Sequence, residues 1–501
     1  MQQDLPSSRG ESVSDMFSKE YVQSIIEREE FRRQSNKVLH GHPSPGHWKP
    51  LDEPVEYLLD ERSGYAMRSE FDVNLYVGTP FCIKTKPARC GFCLFPSEDY
   101  EGNSGVEDYI AYLKKEFEMY KPFYGSDQLA SIYFGGGTPN LYHPEHYGQI
   151  MEFVDTLYGG VPADIEKTLE GIPQLFSEPK LKAISEAGFN RISMGVQQLN
   201  DDLIKYSGRR QTRKQVFDAV DLCHKYNLAN SMDLIYGWPE QTMENMLTDL
   251  KDAISVGVNH LTHYELNVAG RSDFASPKKR ALLPTIETNI EMYEIAGEYL
   301  RSEGFEQVTV YDWSRKATSE EDVRKGSYDY EHSMHDFVDQ EDGKVQKTRQ
   351  VCGIGYAAVN FHPNGLNEGD RSWIYMNQTS LKNYCQDLDD GKFPVGRGFM
   401  YNHQDVKLAW IFQSMQTMSI NHINYESLFH ESLLTAYQAV WNELVRKKWI
   451  AITDVDIQFI GNGQYYVPML QSLIASVRLE EIRSAKKLSV KDIPVLVEAT
   501  A

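Results

Sequence analysis

Residues 71–96 read FDVNLYVGTPFCIKTKPARCGFCLFP, an apolar, β-rich run that ends in a Thr-Pro turn and opens at once into a loop with three cysteines. The run at 73–77 is short and rich in branched and apolar side chains, as a buried strand requires. Similar runs return at 131–134, 166–169, 191–196, 231–236 and 261–266, and between them lie amphipathic stretches of helical period near 106–121, 144–158, 178–188, 213–227 and 241–257. Six strand-then-helix units in succession demand parallel pairing with right-handed crossovers, because a short hairpin cannot join parallel strands. The class expected is α/β, either a partial (β/α)6 barrel or an open doubly wound sheet. In such barrels chemistry collects at the carboxyl ends of the strands. Cys82 follows the first strand, the GGGTP of 135–139 the second, Glu170 the third, Gln197 the fourth and the GWP of 237–239 the fifth.

Around this core the chain divides into an N-terminal arm (1–70), the barrel (71–312), a charged insertion or lid (313–350), a connecting segment (351–395) and a C-terminal helical domain (396–501). The arm reads helical over 13–31 and is then broken by HGHPSPGHWKP at 40–50. A helix is expected at 284–303 and a strand at 307–311. The C-terminal part reads as helices at 404–415 and 425–448 with short strands at 450–453, 457–460 and 464–468, a winged-helix-like order. Such modules often bind DNA, but a formal charge of −21 opposes a phosphate backbone, so the expected role is structural or substrate-covering, with no nucleic-acid partner. No stretch reaches the roughly eighteen apolar residues of a membrane span, and the first residues lack an export pattern, so the expected location is cytoplasmic.

Three of the six cysteines, Cys82, Cys90 and Cys93, fall within twelve positions, which in a reducing compartment points to metal or catalysis. Three thiolates can anchor three irons of a four-iron four-sulfur cubane and leave the fourth iron open to a small chelating ligand. A structural zinc site would need a fourth ligand that nothing nearby in sequence supplies, and buried thiols without metal are the third reading. The glycines of 135–137 let backbone approach a ligand closely. They lack a P-loop ending and dinucleotide spacing, but beside a cysteine loop they suit the amino and carboxylate groups of a methionine moiety. Glu170, Gln197, Arg209 and Asp233 follow later strands and can bind hydroxyls, an ammonium or a carboxylate.

The phrases LYVGTPFC with CGFC, YFGGGTPN, FNRISMGVQQLN and DLIYGWPEQT, and more distantly GIGYAAVNF and 396–470, resemble the oxygen-independent coproporphyrinogen III oxidase (coproporphyrinogen dehydrogenase) family of radical S-adenosylmethionine enzymes. The resemblance implies that Cys82, Cys90 and Cys93 bind a [4Fe-4S] cluster and that Tyr76, Gly136 and Glu170 contact the S-adenosylmethionine cleaved there. It also implies a second S-adenosylmethionine lined by Phe92, Gly137, Thr138, Gln197, Arg209 and Asp233, with Asn267 and Val359 as outlying contacts. Two departures stand out. Seven residues, instead of the family's three, separate Cys82 from Cys90, and Phe95 occupies a position where the oxidases carry a further cysteine.

Reductive cleavage of S-adenosylmethionine to a 5′-deoxyadenosyl radical is the implied chemistry. Because Phe95 replaces that cysteine while Gln197, Arg209 and Asp233 are present, the sequence favours radical C-methylation or methylene transfer to an unsaturated carbon, using the second cofactor. The alternatives are oxidative decarboxylation of coproporphyrinogen III and heme binding by a chaperone without oxidase activity. The partners expected are a small-molecule substrate (tetrapyrrole, quinone or natural-product scaffold) and a flavodoxin- or ferredoxin-type electron donor.

Overall fold

The computed structural model describes residues 17–34, 41–66, 70–268, 272–319, 328–332, 337–341, 344–364, 366 and 370–491. Six parallel strands form the core: β1 (Glu70–Thr79), β2 (Gln128–Gly136), β3 (Glu166–Gly171), β4 (Arg191–Gln197), β5 (Ala229–Tyr236) and β6 (His260–Glu265), each paired to the next. The connecting helices, Asn103–Tyr124, Pro144–Tyr158, Glu178–Glu186, Arg213–Lys225 and Met243–Ser255, are those the periodicity predicts. Two of them begin at a capping box, Thr212 with Gln215 and Thr242 with Asn245, which satisfies orphan amides at their first turns. Along the strands alternate residues part company. Leu75, Ile132, Phe134, Ile192, Met194 and Leu234 join the main apolar core, whereas Tyr76, Tyr133, Gly195, Gln197 and Asp233 line an interior cavity.

The sheet continues past this barrel to thirteen strands among the described residues. Beyond β6 come β7 (Phe305–Gln307) and β8 (Asp312–Arg315), antiparallel to each other, with β8 antiparallel to β6. On the other side of β1 lie β9 (Val338–Glu341), β10 (Lys344–Gly355), β11 (Val359–His362), β12 (Ser372–Asn377) and β13 (Val395–Tyr401), in the order β13-β12-β11-β10-β1, with β9 on β10. β10 runs parallel to β1, from Glu70 opposite Lys347 to Gly78 opposite Gly355.

That pairing corrects the expected charged lid at 313–350. The described part of this stretch supplies a hairpin strand, a short helix (Asp329–His332) and most of β10, and the expected boundary at 350/351 falls inside β10. Its polar side chains find distant partners: Lys347 pairs with Asp72 at 2.7 Å, and Gln350 accepts from Arg62 Nε at 2.7 Å. Arg62 is fully buried, also bonds Asp127 and the Phe123 carbonyl, and lies 4.0 Å from the Tyr124 ring centroid. Residues 320–327, 333–336 and 342–343 of the expected insertion lie outside the described residues.

Three further expectations change. The strand at 307–311 is the turn between β7 and β8, in which Thr309 Oγ1 bonds the Asp312 carboxylate. The strand at 464–468 is instead the helices Asn462–Tyr465 and Val467–Ile474, and Pro468 sits in the first turn of the second, where its missing amide costs nothing. The first helix spans Lys19–Glu29, with 13–16 outside the described residues, and a second helix, Val55–Ala66, lies in the N-terminal stretch beyond it. The C-terminal part holds a three-stranded antiparallel sheet (Ser419–Asn421, Asp456–Phe459, Ile450–Ile452) around the helices His422–Phe429 and Gln438–Arg446. Val22 and Ile26 of the first helix pack into the core of this region, and His42 meets Asp405 at 3.0 Å, so the N-terminal stretch is built into the C-terminal one. No helix among the described residues is long and apolar enough to cross a membrane.

Candidate active site

At the carboxyl ends of the strands lies a cavity of about 500 Å3. All fourteen residues singled out from the sequence line it: Cys82, Cys90, Cys93, Tyr76, Phe92, Gly136, Gly137, Thr138, Glu170, Gln197, Arg209, Asp233, Asn267 and Val359.

The cysteine loop is pinched at its base, where Phe81–Cys82 pairs with Glu98–Asp99. Within it the seven-residue spacer folds back on itself. Thr85 Oγ1 accepts from the Cys90 amide at 3.0 Å and donates to the Pro87 carbonyl at 2.7 Å, and the Cys93 amide donates to the Arg89 carbonyl at 3.1 Å. Arg89, Cys90 and Gly91 all have positive φ, 53°, 55° and 72°, so the extra length is taken up in a tight left-handed turn. This turn keeps all three thiols on one cavity.

Does a cubane cluster suit these thiols? All three thiols line one cavity, and a cubane offers each thiolate its own iron while leaving a fourth iron open. Arg209 donates from Nε to Cys90 Sγ at 3.3 Å and from Nη1 to the Gly195 carbonyl at 2.5 Å. Burial pulls the Arg209 pKa down, but the neighbouring Cys90, Cys93 and Cys82 outweigh it, so the cation persists and favours thiolate. Thr138 Oγ1 lies 3.5 Å from Cys82 Sγ. Burial pushes the Cys93 thiol up to about 11, a proton that iron binding would displace. The donor set fits the cluster.

The glycines form a shelf next to these sulfurs. Gly136 has φ of 104°, and a Cβ at Gly137 would stand 2.4 Å from the Phe81 carbonyl oxygen, so neither position admits a side chain. The Gly136 amide donates to Glu170 Oε2 at 3.3 Å. Burial raises Glu170 to about 7, partly offset by that amide and by Arg209. Asp233 rises to about 8, first through burial and then through the nearby Glu170 and Asp312 carboxylates. Burial also holds the Tyr76 phenol neutral, well above its ordinary range. Gln197 has φ of 69°, and its Oε1 is buried without a hydrogen-bond partner among the described residues. An orphaned acceptor and two carboxyl groups poised near neutrality are what a cavity awaiting an ammonium or hydroxyl ligand should show.

Sequence reasoning missed much of the remaining lining. Tyr133, Thr262 and Tyr264 face the cavity from β2 and β6, and their inward register was readable from the period of two. Trp48, Tyr328, Tyr330, Tyr356 and Gln413 arrive from the N-terminal stretch, the short helix at 329–332, the turn after β10 and the C-terminal region, and carried no local signal. Tyr330 stacks on Tyr133 with centroids 4.9 Å apart, and Tyr133 on Tyr76 at 5.9 Å, which places residues expected in a solvated lid inside the barrel.

Residues 76–253 match the Radical SAM superfamily. The chain is 25% identical over 367 residues to the oxygen-independent coproporphyrinogen III oxidase of Helicobacter pylori, covering 72% of this chain and 76% of that one. It is 30% identical over 243 residues to the heme chaperone HemW of Bacillus subtilis, covering 48% and 63%. Among solved structures, coproporphyrinogen III oxidase (HemN) of Escherichia coli matches with a TM-score of 0.72 at 20% identity, covering 87% of this chain and 97% of that one. The chain therefore carries a radical SAM domain homologous to these oxidases and to HemW, and that domain implies a [4Fe-4S] cluster and S-adenosylmethionine. The methyl transfer favoured from the sequence finds no support here. That expectation rested on the absence of one cysteine at Phe95 and on polar residues that equally suit the oxidase lineage.

Proposed function

We propose that this radical SAM chain is an oxidoreductase of the oxygen-independent coproporphyrinogen oxidase type, converting a propionate side chain of a reduced tetrapyrrole to vinyl with loss of carbon dioxide. The observation that carries this reading is one cavity that joins the thiols, the glycine shelf and the Glu170 and Asp233 carboxyls to an apolar wall of Trp48, Val351, Phe361, Ile374, Met376 and Tyr401. Such a lining suits a large, flat, mostly apolar ligand with a few polar contacts. Homology to a named coproporphyrinogen oxidase over 72% of the chain supports the tetrapyrrole.

Cys82, Cys90 and Cys93 would hold the cluster, and Tyr76, Gly136 and Glu170 the adjacent S-adenosylmethionine; Phe92, Gly137, Thr138, Gln197, Arg209 and Asp233 are assigned to a second copy. When bound, cluster and cofactor supply an organic radical able to take a hydrogen atom from an unactivated C–H bond. Removal of that atom from the propionate, then loss of carbon dioxide and transfer of one electron to an external one-electron acceptor, leaves the vinyl group. Glu170, as carboxylate, seats an ammonium on the glycine shelf, and Arg209 holds Cys90 in place. The aromatic lining of Tyr133, Tyr264, Tyr328 and Tyr330 keeps water from the reacting carbon.

A second reading, heme binding without turnover, is favoured by Phe95 in the place of the oxidases' cysteine and by the homology to HemW. The deciding experiment gives anaerobically reconstituted, reduced enzyme S-adenosylmethionine and coproporphyrinogen III. A vinyl product with equimolar 5′-deoxyadenosine and no S-adenosylhomocysteine is expected. A methylated product with S-adenosylhomocysteine would overturn the oxidative reading, and tight heme binding without turnover would select the second.

A further inference from the structure

Four residues stand side by side across the inner face of the sheet. Gly195 on β4 is opposite Asp233 on β5, Asp233 is opposite Thr262 on β6, and Thr262 is opposite Asp312 on β8. Adjacent strands are about 4.8 Å apart, so the row sets two carboxyl groups on either side of one hydroxyl. Asp233, Thr262 and Asp312 all line the cavity. At the other end of the row Gln197 is 6% exposed with Oε1 unpartnered among the described residues, and its Nε2 lies 3.0 Å from where a Gly195 Cβ would stand. An acceptor left open at that depth points to a donor ligand over Asp233.

The hydrogens decide which of the two acids is charged. Thr309 Oγ1 accepts from the Tyr311 and Asp312 amides at 3.2 and 3.0 Å, so its own hydrogen is directed to Asp312 Oδ2, at 2.6 Å. Thr262 Oγ1 donates to Asp312 Oδ1 at 2.8 Å. His260 Nε2 is 3.3 Å from the same oxygen, while its Nδ1 is 2.9 Å from Ser314 Oγ. Three donors on one carboxyl make the shell of a carboxylate. A hydroxyl has a single hydrogen, so Thr262, committed to Asp312, can only accept from Asp233, which it also reaches. Asp233 is therefore the member of the pair that carries a proton, in keeping with its rise to about 8 through burial, Glu170 and Asp312. Its other titratable neighbours do not reverse this. The Tyr133 and Tyr264 phenols are held neutral by burial, and Arg191, which pulls the other way, is shared with Glu166 and with the Tyr328 ring at 4.5 Å.

We propose that Asp312 is a positioning residue for Asp233: through Thr262 it holds a proton on Asp233, and an ammonium group that settles against Asp233 and Gln197 must displace that proton. Asp233 becomes carboxylate, the proton passes to the buffer, and the ligand keeps its ammonium and all its bonds. The site then takes up a cationic group more readily as pH rises. The inference rests on the assignment of Asp233 to the second S-adenosylmethionine.

The test titrates S-adenosylmethionine into the cluster-loaded enzyme, kept oxidised so that no cleavage occurs. Calorimetry at pH 7 in two buffers of different ionisation heat counts the protons released. Glu170 contributes to the wild-type count, so the variants are compared with one another. D312N should lower the count by roughly one proton, D233N by the same amount, and D233N/D312N by no more than either alone. Between pH 6 and 7 the affinity for the second cofactor should rise about tenfold in the wild type and stay nearly level in D312N. T262V should lose the same proton and T262S should keep it, which preserves the test if D312N does not fold. A wild-type count in D312N or T262V, even with lowered thermal stability, would mark a merely structural residue and overturn the proposal, as would a further loss on adding D312N to D233N. A wild-type count in D233N would instead overturn the cofactor assignment beneath it.

Discussion

Glu116 is fully buried and Glu170 lines the cavity, and burial pushes both up to about 7, yet their surroundings differ. Glu116, on the helix Asn103–Tyr124, accepts from the Gly355 amide at 2.8 Å, Asn377 Nδ2 at 2.7 Å and Tyr384 Oη at 2.6 Å, knitting that helix to the ends of β10 and β12. Among the described residues Glu170 accepts only the Gly136 amide, at 3.3 Å, and it faces the cavity beside Arg209 and the orphaned Gln197 Oε1. A raised pKa alone does not mark a functional carboxyl. The filled shell of Glu116 identifies a structural knot, and the open shell of Glu170 identifies a group that waits for a ligand.

The harshest way to separate the two regions is Cys93→Ala. It should bring S-adenosylmethionine cleavage to background while leaving the fold around Glu116 intact, as scored by deoxyadenosine yield and by thermal unfolding of the metal-free protein. Next comes the direct exchange. Glu116→Ala strands three buried donors and should cost about 3 kcal/mol of stability in urea unfolding. Glu170→Gln should move stability by less than about 1 kcal/mol but weaken S-adenosylmethionine binding about 10- to 100-fold. Reversed effects would break the comparison.

A third prediction concerns pH. The folded pKa values of Glu116, Glu170 and Asp233, about 7, 7 and 8, lie above their unfolded values near 4, so the folded state holds more protons between these limits. Their stabilising contribution is complete below pH 4 and is lost as pH rises to about 8. The urea midpoint should therefore decline between pH 6 and 8. Saturating S-adenosylmethionine should remove the Glu170 part of that slope and leave the part due to Glu116. The smallest effect is expected from Gln197→Ala, which should slow the substrate reaction about fivefold, or ~1 kcal/mol, with less change in uncoupled cofactor cleavage. Equal loss of both would count against a separate role for Gln197.

The sequence disclosed the open-shelled region far better than the closed one. The six parallel strands, the cysteine loop, the glycine shelf and the polar strand ends are written in local pattern, because each depends on a run of two-residue alternation or a fixed spacing. The Glu116 knot joins residues more than 230 positions apart and leaves no such trace. β10 was hidden for the same reason. Its charged start reads as a solvated loop until Asp72, far upstream, is seen to pair with Lys347 and Arg62 to bond Gln350. Tyr328 and Tyr330 escaped notice because a short helix inside a polar stretch gives no periodicity to read.

The most direct test of the account is electron paramagnetic resonance of the reduced, cluster-loaded protein, before and after S-adenosylmethionine, with released 5′-deoxyadenosine quantified in the same sample. A four-iron signal that changes on cofactor addition, accompanied by deoxyadenosine, is the expected result. An intact cluster whose signal ignores the cofactor and yields no deoxyadenosine would contradict it.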